Sequence, residues 1–181
     1  MIIGFCGAIG AGKTTAARHL EIKHDYVRIG FAKVLKDMAK AFGMTDDQLY
    51  GSAKEIPDLD LLGGKTPRQF MQLLGHQFGR ELIDPDIWVS AWRRQVRRHP
   101  HVVADDVRYP NEVAVIHELG GKVIHLARAG GLLLSSHESE TQTIAPDHVI
   151  ENFGDKDYLF AEIDVLLTSS PAHWRPVFPA R

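Results

Sequence analysis

The feature that most constrains this chain is a glycine-rich segment close to its first residue. Residues 7–14 read GAIGAGKT and fit the pattern G-x-x-x-x-G-K-[ST]. Glycines let several backbone N–H groups converge on a phosphate chain, and a following helix adds its positive N-terminal end. Lys13 is expected to reach the β- and γ-phosphates, Thr14 to ligate Mg²⁺, and Thr15 to add a hydroxyl near the α-phosphate. The segment predicts a nucleoside triphosphate site without specifying the reaction.

Strands and helices are expected to alternate along the rest of the chain. Residues 1–6 are typical of a short buried strand and residues 13–24 of a helix, which is the context that a phosphate-binding loop needs. Alternation of this kind predicts an α/β fold with a parallel sheet between layers of helices. Further strands are expected within residues 25–32, 101–108, 122–128 and 148–152, and further helices within 33–43, 66–82, 84–99, 109–121 and 155–170.

Composition narrows the class of protein. The 181 residues suffice for one substantial core, and a net charge of -2 argues against a general electrostatic grip on nucleic acid. The single cysteine, Cys6, cannot form an intramolecular disulfide, which suits a reducing compartment, and it is expected to be a small core residue. No basic leader and no apolar run of about 20 residues is present, so we expect a cytoplasmic protein without a membrane partner. Four arginines near a helix end are expected to form a solvated basic face: Arg93, Arg94, Arg97 and Arg98.

A first candidate for the second half of the site is the segment DDVRYPNE, residues 105–112. Asp105 and Asp106 end an apolar strand, and ligands bind beyond the carboxyl ends of parallel strands. One of these carboxylates is expected to hold Mg²⁺ through water, and Arg108 is expected to reach a phosphate. Asn111 or Glu112 could also serve as a helix-capping residue.

A second candidate lies in the helix that is expected to start at Thr66 and Pro67. Arg68 is a cation near the positive end of this helix, which suits contact with an anion there. Gln72 lies one turn further along the same face. Arg68 is therefore expected to bind a phosphate and Gln72 to read a base or sugar.

Two long segments are expected to be excursions from the sheet: residues 45–66, a flap, and residues 129–147, a lid. The first is polar and aperiodic apart from a short turn at 45–50. Arg128 precedes the second, just before a Gly-Gly pair, and is expected to close over phosphates. His137, Glu138 and Glu140 lack the H-E-x-x-H spacing, so a lid or hydrogen-bonding role is favoured over a metal site.

The length and the missing N-K-x-D motif favour a small-molecule phosphotransferase over a GTPase or a motor. Several segments then resemble the bacteriophage deoxynucleoside monophosphate kinases, in order and rough spacing, over residues 2–167. The more specific of these segments are R-Q-x-x-Q-x-x-G, from Arg68, and D-x-R-x-x-x-E, from Asp106. The resemblance covers GAIGAGKTT, GFAKVLKDMA, KTPRQFMQLLGHQFGREL, DPDIWV, VVADDVRYPNE, GGKVIHLAR, SSHESE and HVIENFGDKDYLFAEID.

The resemblance implies a nucleoside monophosphate kinase-like fold and transfer of the ATP γ-phosphoryl group to a dNMP, with Mg²⁺, for phage DNA precursor synthesis. It implies one kinase domain over residues 1–168 and a tail at 169–181. Lys13, Arg108 and Arg128 would act on the transferred group, while Thr14 and Asp106 would serve the metal. The residues implied to bind ATP are Gly7, Ala8, Gly10, Ala11, Gly12, Lys13, Thr14 and Thr15. Those implied to bind the deoxynucleotide are Lys36, Arg68, Gln72, Asp84, Asp106 and Arg108, and those of the lid are Arg128, His137 and Glu140.

Two other functions stay open at this point. The acceptor of a P-loop kinase could be another small molecule, such as dephospho-coenzyme A or a sugar acid. The chain could also be an accessory protein that binds nucleotide without turnover. The sequence leaves open which bases are accepted, how strictly the 2′-hydroxyl is rejected, whether a homodimer forms, and whether Asp105 or Asp106 serves the metal.

Overall fold

The computed structural model describes residues 1–128 and 144–168. These residues fall into two compact units. The first unit comprises Met1–Gly30 and the described residues from Gln95 onwards, and the second comprises Phe31–Arg94. Within the described residues, no helix combines the length and the apolar character that crossing a membrane requires.

A parallel sheet forms the centre of the first unit. Its five described strands are β1 (Ile2–Cys6), β2 (Val27–Arg28), β3 (Val102–Ala104), β4 (Lys122–Ala127) and β5 (His148–Glu151). They lie in the order β2-β3-β1-β4-β5, and every neighbouring pair is parallel. The predicted α/β class with a parallel sheet is confirmed. The strand expected within residues 25–32 has only two residues, because its first residues finish the turn that follows the preceding helix.

The described residues also form α-helices in both units. Their bounds are α1 (Lys13–His24), α2 (Lys33–Ala41), α3 (Asp46–Tyr50), α4 (Leu59–Leu62), α5 (Pro67–Gln72), α6 (Ile87–Val96), α7 (Pro110–Glu118) and α8 (Lys156–Thr168). In the first unit, α1 and α8 pack on one side of the sheet. Ile3 and Phe5 of β1 join a buried cluster with Leu20 of α1 and Ile163 of α8.

The opposite side of β1 receives α7. Side chains alternate along a strand, so Gly4 points away from the cluster around Ile3 and Phe5. A Cβ atom on Gly4 would lie 2.6 Å from Cδ1 of Ile116 in α7, so a bare backbone is needed there. The sheet is therefore covered on both faces, as the sequence pattern predicts.

The second unit is helical. Residues 45–66 contain α3, which agrees with the short turn expected at 45–50, and also α4 and a 3₁₀ turn at Ser52–Glu55, which the aperiodic pattern did not predict. Thr45 caps α3 by accepting a hydrogen bond from Gln48 N–H, which explains its start. Phe42 lies at helical spacing from Leu35 and Met38, so the sequence pattern favours burial, but Phe42 is exposed. It is the C-cap of α2, and its ring makes an edge contact with the Phe70 ring, at a centroid distance of 5.8 Å.

The helix predicted over residues 66–82 changes its geometry halfway. Thr66 caps α5 and Pro67 is its first residue, as predicted, but Leu73–Ile83 continue with the wider turns of a π-helix. Trp88 Nε1 donates to the Gly75 carbonyl at 2.7 Å, and a Cβ atom on Gly79 would lie 2.4 Å from the Trp88 ring. We attribute the widened turns to this indole, because a group that bonds to a helix carbonyl perturbs the helical ladder.

Candidate functional site

The phosphate-binding loop joins β1 to α1 at the carboxyl edge of the sheet. Gly7, Gly10 and Gly12 have φ angles of 128°, 80° and 102°, which favour glycine over every other residue. Gly12 is the N-cap of α1, so the loop opens directly onto the positive end of that helix. Strand, loop and helix therefore adopt the arrangement that the motif predicts.

Two cationic side chains contact this loop. Lys13 Nζ donates to the carbonyls of Gly7 and Ala8 at 2.6 and 2.8 Å. Arg128, the residue after β4, donates from Nη1 to the Gly10 carbonyl at 3.0 Å. Because β1 and β4 are parallel neighbours, their carboxyl ends meet at the same edge, which brings Arg128 to the loop.

The two strand-end carboxylates have different neighbours. Thr14 Oγ1 donates to Asp105 Oδ2 at 3.0 Å, and Arg28 Nη1 lies 3.6 Å from the same oxygen. Asp106 lies against Gly30 instead: a Cβ atom there would be 2.6 Å from Asp106 Oδ2. The structure thus brings Asp105 to the hydroxyl of Thr14, and no local sequence signal points to Arg28.

Arg108 follows β3 at the start of the turn into α7. Its backbone N–H donates to Glu112 Oε2 at 2.7 Å, and the Tyr109 N–H donates to the same oxygen at 3.1 Å. Glu112 is buried, which confirms the capping role predicted for it. The turn is therefore stabilised by hydrogen bonds from its backbone N–H groups to the Glu112 carboxylate. The Arg108 side chain is exposed at the surface.

Asn152, directly after β5, is a site residue that sequence reasoning missed. It is buried, its Nδ2 donates to the Ala11 carbonyl at 2.9 Å, and its own N–H donates to Ala127 O at 2.7 Å. A Cβ atom on Gly12 would lie 2.8 Å from this amide nitrogen. The one available signal was a polar residue at the end of a predicted strand.

Cys6 and His125 face each other on β1 and β4, with Sγ and Nδ1 3.6 Å apart. Burial raises the pKa of the Cys6 thiol to about 12, so the thiol stays protonated at neutral pH. Burial, and then the charge of Lys13, lower the pKa of His125. Cys6 is 2% exposed, which confirms that it belongs to the core.

Four of the six residues predicted for the acceptor lie in the second unit, while Asp106 and Arg108 belong to the first. Arg68, in the first turn of α5, pairs through Nε with Glu55 Oε1, and Gln72 ends the same helix. The anion expected near Arg68 is thus supplied by Glu55, which the sequence did not single out. Lys36 Nζ lies 4.3 Å from the centre of the Tyr50 ring, a cation–π contact.

Asp84 serves the local turn that leads into α6. Its Oδ1 accepts from the Asp86 N–H at 2.6 Å, and α6 begins at Ile87, within the range 84–99 expected for this helix. Of the predicted basic face, Arg94, Arg97 and Arg98 are exposed and Arg93 is half-buried. His137, Glu138 and Glu140 lie outside the described residues.

A parallel α/β sheet whose first strand ends in this loop, with Lys13 and Thr14 at the start of the next helix, defines a P-loop nucleotide-binding protein. No protein-family model matches the chain. A protein of Acanthamoeba polyphaga mimivirus, assigned as a deoxynucleotide monophosphate kinase, is 36% identical over 158 residues, covering 78% of this chain and 81% of that protein. The chain therefore belongs to the deoxynucleotide monophosphate kinase family.

Two further likenesses are more distant. The deoxynucleoside-5′-monophosphate kinase of Escherichia phage T5 is 29% identical over 100 residues, covering 54% of this chain and 38% of that protein. The crystal structure of TT1252 from Thermus thermophilus superposes with a TM-score of 0.51 at 18% identity, covering 92% of this chain and 96% of that one. The second likeness concerns the fold alone.

Proposed function

We propose that this chain transfers the γ-phosphoryl group of ATP to a deoxynucleoside monophosphate, giving ADP and the deoxynucleoside diphosphate. The observation that carries the proposal is the grouping of Lys13, Arg128 and the Thr14–Asp105 pair around one glycine-rich loop. Membership of the deoxynucleotide monophosphate kinase family supports the choice of acceptor, because the two relatives are named for that substrate class.

The loop fits a triphosphate. Its left-handed glycines and the N-terminus of α1 favour an anion, and Lys13 and Arg128 add two positive charges that contact loop carbonyls. The residues proposed to bind ATP are Gly7, Ala8, Gly10, Ala11, Gly12, Lys13, Thr14 and Thr15.

The oxygen donors beside the loop fit Mg²⁺, which prefers hydroxyl, carboxylate and water oxygens. Thr14 would be the direct ligand, and a strand-end carboxylate would act through water. Asp105 contacts Thr14, while Asp106 is the residue that the family pattern suggests, so both are proposed here. A bound ion would neutralise part of the negative charge on the phosphate oxygens.

In the proposed reaction, an oxygen of the dNMP α-phosphate attacks the γ-phosphorus of ATP. A new P–O bond forms, the bond from the γ-phosphorus to the bridging oxygen breaks, and its electron pair leaves on ADP. Lys13, Arg108 and Arg128 stabilise the charge that shifts between oxygens. The chain needs no nucleophile for this transfer, which agrees with the protonated Cys6 thiol.

The residues proposed to bind the acceptor are Lys36, Arg68, Gln72 and Asp84, in the second unit, and Asp106 and Arg108, in the first. Arg68 would contact the monophosphate, with Glu55 fixing its orientation through Nε, and Gln72 would contact the base or sugar. Lys36 and Asp84 are proposed to line the same substrate. We further propose that residues 1–168 act as one catalytic domain in the cytoplasm, that of the host if the chain is phage-encoded, with residues 45–66 as a flap and residues 129–147 as a lid. Residues 129–143 of this lid and the proposed tail, residues 169–181, lie outside the described residues.

The decisive experiment is an acceptor panel with ATP and Mg²⁺, following ADP release. It contains the dNMPs, the matching ribonucleotides, dephospho-coenzyme A and sugar acids. We expect acceptor-dependent ADP with the dNMPs and slower release with their ribo partners.

Each other result would replace part of the proposal. Equal rates for every ribo and deoxy pair would remove the deoxy preference. Turnover confined to dephospho-coenzyme A or to a sugar acid would identify another acceptor. ATP binding with no acceptor-dependent ADP would identify an accessory protein.

A further inference from the structure

A cluster of three metal-ligating side chains lies at the end of α1 that is remote from the phosphate loop. His19 and His24 come from α1, and Asp164 comes from α8. Both imidazole Nε2 atoms meet the same carboxylate oxygen: His19 lies 2.8 Å and His24 2.7 Å from Asp164 Oδ1. Within the described residues, this is the group of His, Cys, Asp or Glu side chains whose geometry suits an ion.

The spacing of the donor atoms fits a small cation. One donor atom from each of the three residues lies within 4.8 Å of the other two. Protein ligands bind Zn²⁺ at about 2.0–2.2 Å, so two ligand atoms around one tetrahedral ion are separated by about 3.4 Å. The present contacts of 2.7 and 2.8 Å therefore need to open by well under 1 Å to admit an ion.

The surroundings hold these side chains in place. The His19 ring stacks on Phe160 of α8, with a centroid distance of 4.1 Å and an angle of 4°. The side chains of His19, His24 and Asp164 are 9%, 24% and 26% exposed, so an ion could enter from one side and keep water as a fourth ligand. Lys23 Nζ lies 2.6 Å from Asp164 Oδ2, the carboxylate oxygen opposite the one that the two histidines contact.

The donor set selects the kind of metal. Two imidazoles and one carboxylate suit Zn²⁺ and its borderline neighbours, whereas Mg²⁺ and Ca²⁺ prefer oxygen ligands. Hydrogen bonding of the second carboxylate oxygen, here by Lys23, is the usual outer-sphere support of such a ligand. The site would thus differ from the proposed Mg²⁺ position at Thr14 in both place and chemistry.

We propose that His19, His24 and Asp164 bind one divalent transition-metal ion of the Zn²⁺ class, which fastens α1 to α8. An ion between α1 and α8 would also act on the nucleotide site, because α1 begins at the phosphate loop and α8 packs beside that loop. A Cβ atom on Gly12 would lie 3.3 Å from Leu159 Cδ2 in α8. An ion that joins the other ends of these two helices would steady both sides of the loop.

The test uses the full chain without a histidine tag, stripped of metal and kept free of nucleotide. Zn²⁺ is titrated while the thermal midpoint is recorded, and Co²⁺ is titrated while its visible absorption reports coordination. The expected result is one equivalent of bound ion, a higher midpoint with Zn²⁺, and no such change with Mg²⁺.

Variants assign the ligands. His19→Gln and His24→Gln are expected to weaken Zn²⁺ binding at least about tenfold, because loss of an outer-sphere partner alone costs about 10- to 100-fold. The matched control is His117→Gln. His117 Nε2 also contacts an aspartate, Asp147, which also contacts a lysine, but this group has only one imidazole. His117→Gln is expected to keep wild-type Zn²⁺ affinity.

Three outcomes would overturn the proposal. One is the absence of any Zn²⁺ or Co²⁺ binding at micromolar concentrations. A second is equal binding by the wild type and the double variant His19→Gln/His24→Gln. A third is loss of binding in His117→Gln with retention in the double variant. If a variant no longer folds, the folded wild type is instead made to compete with a chromophoric chelator for Zn²⁺. This competition measures the Zn²⁺ affinity of the intact cluster.

Discussion

Asn152 is the buried side chain that connects the last strand to the phosphate loop. Its amide donates to Ala11 O, and it lies beside the N-cap glycine of α1. A carbonyl that loses its donor in a buried position costs about 1–3 kcal/mol. Asn152 therefore supports both the stability of the fold and the shape of the loop.

Replacing Asn152 with leucine is expected to lower the free energy of unfolding by about 1–3 kcal/mol, because Ala11 O then has no donor in place of the amide. ATP binding is expected to weaken about tenfold, equivalent to about 1.4 kcal/mol. Urea unfolding and fluorescent-nucleotide titration measure the two effects.

The control is Glu151→Gln at the preceding, exposed position, which should change the free energy of unfolding by less than about 0.5 kcal/mol. Unchanged ATP affinity in a folded Asn152→Leu protein would contradict the role of this amide in the loop.

Single residues differ in how well the sequence predicts them. Lys13 and Thr14 follow from the loop pattern, since the local chain alone brings them to the phosphates. Arg28 and Asn152 do not, because their contacts depend on which strands become neighbours. Their choice of partner is decided by sheet order, which no local spacing encodes.

Asp147, directly before β5, bonds to two other elements of the first unit, β4 and α7. Its carboxylate accepts hydrogen bonds from the Val123 N–H at 2.8 Å and from Lys122 Nζ at 3.0 Å, both in β4. It also contacts His117 Nε2 of α7 at 2.8 Å. Burial alone would raise the pKa of the Asp147 carboxyl. The hydrogen bonds from Val123, His117 and Lys122 outweigh burial, so its pKa lies below its ordinary value.

This lowered pKa fixes the sign of a pH dependence. Asp147 contributes stability that is fully present above the ordinary carboxyl pKa of about 3.9 and is lost as the pH falls through the lowered pKa of the folded state. Asp147→Asn is expected to cost about 1.5–3 kcal/mol at pH 7. The difference from the wild type should shrink below about pH 4. Urea unfolding between pH 7 and pH 3 measures it.

Asp157→Asn provides the comparison, since Asp157 is exposed in the first turn of α8. It should stay within about 0.5 kcal/mol of the wild type at pH 7. A gap between wild type and Asp147→Asn that is constant across this pH range would show that the ionised carboxylate is not the stabilising group.

Elements were predictable where local signals and packing agree. Residues 13–24 form α1 as expected, with Ala16, Ala17 and Leu20 on its buried face. Residues 66–82 carry the right start signals, yet their second half widens where Trp88 packs against Gly75 and Gly79. The sequence could not predict that change, because it depends on a tryptophan beyond the end of the helix.

The whole molecule divides into two compact units, so the proposed substrate roles can be tested in each unit. Lys13, Thr14 and Arg128, proposed for ATP, belong to the first unit, and Arg68 and Gln72, proposed for the acceptor, belong to the second. Substitutions in these two groups of residues should then affect different substrates. Kinetics with both substrates varied can therefore test the proposal at the level of the whole chain.

Arg68→Ala is expected to raise the KM for the dNMP at least about tenfold, equivalent to about 1.4 kcal/mol, and to leave the Kd for ATP within about twofold. Lys13→Ala is expected to lower kcat by about 100-fold or more, because a positive charge is lost where negative charge shifts during transfer. Arg94→Ala, at an exposed arginine of the second unit, is the control and should resemble the wild type.

A rise in the Kd for ATP in Arg68→Ala, equal to the rise in the KM for dNMP, would contradict the assignment. Arg68 would then act through its ion pair with Glu55 on the stability of the fold, and Glu55→Gln would reproduce its effect.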